Sequence, residues 1–315
     1  MHTTTADGCP AICPSGYATT QVAAYLHIPK TRRVIMRKAR TSRWDAVFTT
    51  VLALVLVTLA GCSPAGSLST LKQARQKGQL TVGSDTTYAP MEFVKDNTVT
   101  GFDVDIMSAI GDRLGVKCTV MPTAWEGIIP ALQTKKFDAL ISSITITPER
   151  EKEVAFTIPY YRADMGILFN KTLNNIQGPT DLAGLNVGVQ VGTTGDQAAA
   201  MIDGVKKLSK YPDIQLAIAD LELGRIDAVV NDYPVCAFYA QNNKNLFVVR
   251  IAKIGNLDLT QYYGIAVRTS DTDLKKAFDD ALRGLAANGV YDTIYAKWFG
   301  GKPAFRPGDP ASSAP

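Results

Sequence analysis

Lys136-Phe137-Asp138-Ala139-Leu140-Ile141-Ser142-Ser143-Ile144-Thr145-Ile146-Thr147-Pro148-Glu149-Arg150 is the stretch that decides the fold. Phe137 to Ile141 is a short apolar run, the length of a buried strand rather than of a helix. It ends on two hydroxyls, Ser142 and Ser143, and soon meets Thr147-Pro148, a good helix N-cap followed by a residue suited to the first helical position. A strand leading through a polar turn into a helix is the unit of an α/β fold. That unit has an echo: Ala131-Leu132 with Lys136 to Leu140 returns as Asp220-Leu221 with Arg225-Ile226-Asp227-Ala228-Val229. Each copy reads as helix, turn and a strand opening on Asp-Ala, and each is followed by a polar pair, Ser142-Ser143 or Asn231-Asp232. Such a short echo is weak by itself. It fits two related lobes that present polar groups at the carboxyl ends of their strands, where open α/β sheets bind ligands.

Outward from this stretch the pattern continues. Further strands are predicted at Leu80–Gly83, Lys117–Met121, Asn186–Gln190, Ala228–Asn231, Phe247–Arg250 and Tyr262–Val267. Leu274, Ala277, Phe278, Ala281, Leu282 and Leu285 recur at helical spacing, with Gly289 beyond as a stop. Ile294, Tyr295 and Trp298 mark another helix ended by Gly300, and Met107, Ile110 and Leu114 one closed by Gly115.

The formal charge of +4 over 315 residues is misleading. Residues 1–61 hold seven of the 33 Lys/Arg and two of the 29 Asp/Glu, so the remainder is close to neutral and offers no basic face for nucleic acid. Both histidines, His2 and His27, also lie there. A mature chain without them has no imidazole for triads, acid–base work or zinc. Past Cys62 only Cys118 and Cys236 remain, and they lack metal-ligand spacing; packing roles are expected, with no metal and no cofactor.

Arg37, Lys38, Arg40 and Arg43 precede the apolar run Ala46 to Ala60, which closes Leu59-Ala60-Gly61-Cys62. A basic region, a short apolar region and small residues before a cut define a secretory signal. The last four residues resemble a bacterial lipobox, which implies lipidation of Cys62, and Met36 reads as the better start. Residues 62–70 then form a lipid-anchored tether and 303–315, rich in Pro, Ala and Ser, a disordered tail.

Several polar residues point to a ligand. Thr147, the free amides of its turn and the hydroxyls before it make an anion-friendly corner, to which Arg150 adds a fork matched to a carboxylate. A capped helix with a surface arginine explains the same residues equally well. Asp232 follows an apolar strand, where a carboxylate needs a cationic partner; the competing role is a helix N-cap before Pro234. Arg150 and Asp232 together complement a zwitterion. Gly192-Thr193-Thr194-Gly195 joins a strand to a helix and can offer N–H groups and a hydroxyl, but is too short for a nucleotide phosphate motif. Tyr88 and Trp125 lie beside turn residues and suit pocket walls, with core packing the alternative for Trp125.

Val82-Gly83-Ser84-Asp85-Thr86-Thr87-Tyr88-Ala89-Pro90-Met91-Glu92-Phe93 and Gly101-Phe102-Asp103-Val104-Asp105 resemble the opening motifs of family 3 of the bacterial solute-binding proteins, the polar amino-acid binders. Gly127 to Gln133, Ser142 to Arg150, Ala155-Phe156-Thr157, Pro159-Tyr160-Tyr161, Val189 to Gly195 and Asn288 to Gly300 continue the likeness in order across residues 71–300.

That resemblance implies a two-lobe, type II periplasmic-binding-protein-like α/β fold, with 71–164 and 260–302 in lobe 1, 165–259 in lobe 2 and crossings near Ala163–Leu168 and Leu259–Tyr263. It implies an extracytoplasmic binding protein that captures a free polar amino acid, glutamine or a basic one. The protein, a lipid-anchored monomer, then hands the ligand to membrane permease subunits served by a separate ATPase. Arg150, with Thr145 and Thr194, would hold the α-carboxylate; Asp232 and Ser143 the α-ammonium; Tyr88 and Trp125 would sandwich the side chain. Asp85 and Asp103 would line the outer pocket, Ser142 would touch or support the ligand, and Gly192 would offer backbone. Gln190 stands where glutamine binders resemble one another in carrying lysine, which weakens a glutamine assignment. The same fold resembles cyclohexadienyl dehydratase, and a sensor domain is the third alternative.

Overall fold

The computed structural model describes residues 68–173 and 175–310; the expected signal segment, Cys62 and the tail beyond 310 lie outside them. In chain order the elements are α1 (Thr70–Lys77), β1 (Gln79–Ser84), β2 (Thr87–Tyr88), β3 (Glu92–Lys95), β4 (Thr98–Thr100), α2 (Phe102–Leu114), β5 (Lys117–Pro122), α3 (Ile128–Gln133) and β6 (Ala139–Leu140). Then follow α4 (Pro148–Glu151), β7 (Ala155–Phe156), β8 (Tyr161–Ala163), β9 (Met165–Asn170), β10 (Asn186–Gln190), α5 (Thr194–Ala200), β11 (Lys207–Tyr211), α6 (Ile214–Glu222) and β12 (Ala228–Asp232). The remainder is α7 (Tyr233–Asn242), β13 (Leu246–Ile251), β14 (Lys253–Ile254), β15 (Leu257–Asp258), β16 (Gln261–Tyr263), β17 (Ala266–Val267), α8 (Thr272–Ala287) and α9 (Val290–Phe299).

Two five-stranded sheets define two lobes, in the orders β5-β1-β6-β17-β7 and β11-β10-β12-β9-β13. The topologies match: three parallel strands, then an antiparallel one on the same side. The sequence echo has the same physical job in both. Asp138 Oδ2 accepts from the Thr81 backbone N–H and hydroxyl, both at 2.8 Å. Asp227 Oδ2 accepts from the Asn186 backbone N–H at 2.7 Å and its side-chain amide at 3.0 Å. In each lobe the aspartate that opens the third strand thus clamps the neighbouring strand and fixes its register.

Between the lobes, β8 pairs antiparallel with β16, Ala163 opposite Gln261 and Tyr161 opposite Tyr263. The first crossing therefore lies earlier than the expected Ala163–Leu168. Met165–Asn170 is instead a central strand of the second sheet, hydrogen-bonded on both sides. β9 went unseen because a strand buried on both faces shows no alternation.

The predicted helical spacings bury the stripes they should: Leu274, Phe278, Ala281, Leu282 and Leu285 on α8, and Phe102, Ile106, Met107 and Ile110 on α2. The tail departs from its composition. Phe305 is buried, its ring edge-on to Tyr262 at 5.5 Å, and Arg306 grips Asp292 with two bonds of 2.8 and 2.7 Å. Residues 303–310 are held by these two side chains, where disorder was expected from residue 303.

Candidate ligand site

The carboxyl ends of β1, β6, β10 and β12 converge on one cavity with about 310 Å³ of empty space. From lobe 1 come Asp85, Tyr88, Trp125, Ser142, Ser143, Thr145 and Arg150; from lobe 2 come Gln190, Thr194 and Asp232. Two further residues line it: Glu92, which escaped the sequence reading, and Thr193, named there only as part of the Gly192–Gly195 loop. Two predicted residues do not line it. Gly192 presents its carbonyl to Arg150 Nη2 at 3.4 Å. Asp103 is fully buried behind the wall rather than in an outer pocket. There its Oδ2 accepts from the Tyr160 hydroxyl at 2.7 Å and the Ser143 N–H at 2.9 Å. Its position at the start of α2, whose apolar stripe faces the core, carries it inward.

Arg150 sits on α4, whose N-cap is Thr147 as its sequence predicts. Nη1 donates to the Thr145 carbonyl at 2.9 Å, and the guanidinium lies 5.1 Å from the Trp125 ring centre, a cation–π contact that fixes its plane. Burial lowers its pKa, and the Asp232 carboxylate opposes that shift.

Asp232 stands at the N-cap position of α7, yet its side chain makes no capping bond. Its Oδ2 accepts instead from the hydroxyls of Tyr88 at 2.8 Å and Tyr263 at 2.6 Å. Asn231 Oδ1 is a second acceptor 2.8 Å from the Tyr88 hydroxyl. Desolvation raises the Asp232 pKa despite the two tyrosines and Arg150, the signature of an anion short of positive charge.

The lobes also touch directly. Gln190 Nε2 donates to Asp85 Oδ2 at 2.8 Å. Asp85 too is raised, first by burial, against the opposing bonds from Gln190 and Thr87. Gln261, on the β16 crossing, accepts from the hydroxyl of Thr145 in lobe 1 and from that of Thr194 in lobe 2. A glutamine inside a predicted crossing carries no sequence signal, so neither Gln261 nor Tyr263 could have been picked out. Glu92 had a faint one: a charged residue between Met91 and Phe93. It is fully buried, with Oε1 accepting from Ser142 at 3.1 Å and Oε2 from Ser143 at 3.2 Å.

A two-lobed α/β protein with a polar, charge-lined cavity between its sheets is of the periplasmic-binding type. Residues 80–301 match the family of bacterial extracellular solute-binding proteins, family 3, and the chain belongs to it. A probable histidine-binding protein of Neisseria gonorrhoeae is 33% identical, over 82% of this chain and 95% of its own. A putative ABC transporter arginine-binding protein of Escherichia coli is 34% identical, over 69% and 88%. Among solved structures, the arginine-, lysine-, histidine-binding protein of Geobacillus stearothermophilus shares 34% identity, with a TM-score of 0.66, covering 72% of this chain and 97% of that one. An ancestral amino acid-binding protein described as a precursor of cyclohexadienyl dehydratase shares 39%, with a TM-score of 0.68, covering 73% and 100%. Among the described residues no helix is long and apolar enough to cross a membrane, and no His/Cys/Asp/Glu group could hold a metal ion.

Proposed function

We propose that this chain is the extracytoplasmic substrate-binding component of an ATP-driven importer and that its guest is an amino acid with a cationic side chain. One observation carries the ligand class: among the described residues, the cavity is lined by Asp85, Glu92 and Asp232 but by a single cation, Arg150. Three acids face one cation there, and burial raises all three, so the wall carries an excess of acid. A zwitterion leaves that excess in place, whereas arginine, lysine or protonated histidine neutralises it.

In this reading Arg150 holds the α-carboxylate with the hydroxyls of Thr145 and Thr194. Asp232 and Ser143 hold the α-ammonium, Tyr88 and Trp125 flank the side chain, and Asp85 meets its cationic end. Contacts from both lobes stabilise the closed form, the shape a permease reads. Cys62 anchors the protein by a lipid, so Cys62→Ser should release it from the membrane fraction. The chain turns nothing over, and incubation with prephenate should give no aromatic product.

A thermal-shift screen of all amino acids tests the reading. At a hundredfold excess over Kd, linkage supplies ~2.7 kcal/mol, about 5–10 °C for a protein of this size. Arginine, lysine or histidine should give that shift. A larger shift with neutral glutamine than with all three would refute the charge argument.

A further inference from the structure

Glu92 and Asp103 form a carboxyl pair to which the ligand contacts above give no part. Both are fully buried, Glu92 at the start of β3 and Asp103 at the start of α2. Gly101 brings them together: its φ is +141°, and a Cβ there would stand 2.1 Å from the Met91 carbonyl, so only glycine lets the chain turn this closely. The Asp103 N–H then donates to that same carbonyl at 2.9 Å. Ser143 bridges the pair, its N–H on Asp103 and its hydroxyl on Glu92. Its φ of +49° is left-handed, a strained setting for a residue with a side chain, and the Asp103 bond holds it there.

The protons around the pair can be placed one by one. Two buried carboxyl groups side by side share a proton, because like charges in a dry interior cannot both persist. Burial, and then the Asp103 charge, hold Glu92 well above the usual carboxylate range. Asp103, raised by burial to about 6, is drawn back by bonds from Tyr160, Ser143 and Glu92. Glu92 is thus the acid and Asp103 the acceptor. Asp103 Oδ1 is buried and, among the described residues, meets no other donor, so the shared proton lies against it. The two Glu92 oxygens are then left to accept from the hydroxyls of Ser142 at 3.1 Å and Ser143 at 3.2 Å. Ser142 is held from its other side as well, its Oγ accepting from the Asp85 N–H at 2.8 Å. Ser143 has no such second bond among the described residues, and it lines the cavity. A hydroxyl carries one proton and two lone pairs, so with its proton turned to Glu92 the Ser143 oxygen offers the cavity lone pairs alone.

We infer that Glu92 is a positioning residue for the α-ammonium: by taking the Ser143 proton it makes that hydroxyl an acceptor facing the guest. An ammonium has three donors and no acceptor, so it fits an oxygen set in this way. Asp103 acts on the same serine from the backbone side, through the N–H that keeps its turn. The pair retains its single proton whether the site is empty or filled. The inference rests on the reading above that Ser143 and Asp232 hold the α-ammonium.

The test compares two probes on the full-length chain in mild detergent at pH 7: arginine, and des-aminoarginine, which keeps the carboxylate and guanidinium but lacks the ammonium. Calorimetry reads each Kd, and displacement of arginine reads those too weak to titrate directly. Glu92→Gln keeps the size and neutrality of the protonated acid but has one acceptor where the acid has two. Its amide N–H groups meet Asp103 and Ser143, and the Ser143 proton must turn into the cavity. Arginine should then bind about tenfold or more weakly, the scale of a hydrogen bond to a charged group, while des-aminoarginine keeps its Kd. Ser143→Gly suits the left-handed turn, removes the hydroxyl and should repeat this pattern, which decides the matter even if Glu92→Gln does not fold. An arginine Kd unchanged in either variant, or a loss shared equally by both probes, overturns the inference. Equal affinity of the unmodified chain for the two probes overturns instead the ammonium reading on which it rests.

Discussion

The Tyr88 hydroxyl, from lobe 1, reaches the Asp232 carboxylate of lobe 2 at 2.8 Å, while Tyr263 from the β16 crossing holds the same oxygen. One acid is thus addressed from the opposite lobe and from the crossing. Of these two bonds, the one from Tyr88 spans the two lobes, so it contributes to holding them together as well as to orienting Asp232.

Tyr88→Phe should weaken ligand binding without unfolding the protein, because the ring stays and only the hydroxyl goes. A hydrogen bond to a charged group contributes about 1.5–3 kcal/mol, so Kd should rise at least tenfold. Calorimetry with arginine checks this, and an unchanged Kd would show that the bond has no part in closure.

Arg150→Lys should fare nearly as badly as Arg150→Ala. The guanidinium is held flat by Trp125 and the Thr145 carbonyl, and an ammonium can reproduce neither the plane nor the fork. Asp232→Asn keeps the shape and removes the charge. Truncating one side of a desolvated charge pair costs about 2–5 kcal/mol, so each variant should lose thirtyfold or more in affinity while keeping its circular dichroism. Full retention by both Arg150→Ala and Asp232→Asn would remove the zwitterion site.

The buried carboxyl pair predicts a pH dependence of stability with a definite sign. Burial pushes Asp103 from 3.8 up to about 6, and Glu92 is raised as well. A group raised in the folded state contributes stability that is complete below its unfolded pKa and is lost as pH climbs through the folded value. Without ligand, the melting temperature should therefore fall from pH 5 to pH 8 more steeply in the parent than in Asp103→Asn. Parallel curves would show that the pair does not exchange protons in this range.

Phe305 and Arg306 predict a role for the tail. Phe305 is 8% exposed, and burial of such a ring contributes about 1.5–3 kcal/mol. Phe305→Ala should lower the melting temperature by about 3–12 °C, at 2–4 °C per kcal/mol for a protein of this size. No change on truncation after Lys302 would mean that the segment adds nothing.

What could be read in advance follows from which forces are local. The Thr147-Pro148 start of α4, the αL glycine after α2 and the stripe of α8 are set by neighbours in sequence, and the structure has them where their residues say. Asp138 and Asp227 were visible as a repeat, although the clamp they make depends on strands that lie 57 and 41 residues away. The cavity lining was legible where a polar residue followed an apolar strand, as with Ser142, Ser143 and Asp232, whereas Gln190 came only from the family resemblance. Asp103 was misplaced because the resemblance set it in the outer pocket, whereas α2 turns it toward Tyr160. Gln261 and Tyr263 were invisible, because their value comes from joining two lobes that only the tertiary fold brings together.

Gln190 offers the sharpest test of specificity. Its amide donates to Asp85 Oδ2 at 2.8 Å, a neutral donor that brings no positive charge to the acid. A lysine at this position would bring an ammonium within reach of the same oxygen and neutralise the acid that a cationic side chain would otherwise meet. Two like charges about 4 Å apart at an effective dielectric near 20 repel by about 4 kcal/mol, and loss of the attraction to Asp85 adds to this. Gln190→Lys should therefore weaken arginine binding by more than a hundredfold, while glutamine, with a neutral amide end, should lose little or gain. Side-by-side titrations with the two amino acids read the ratio directly. An arginine preference that survives the substitution would place the cationic end of the guest away from Asp85 and remove the charge balance on which the ligand class was argued.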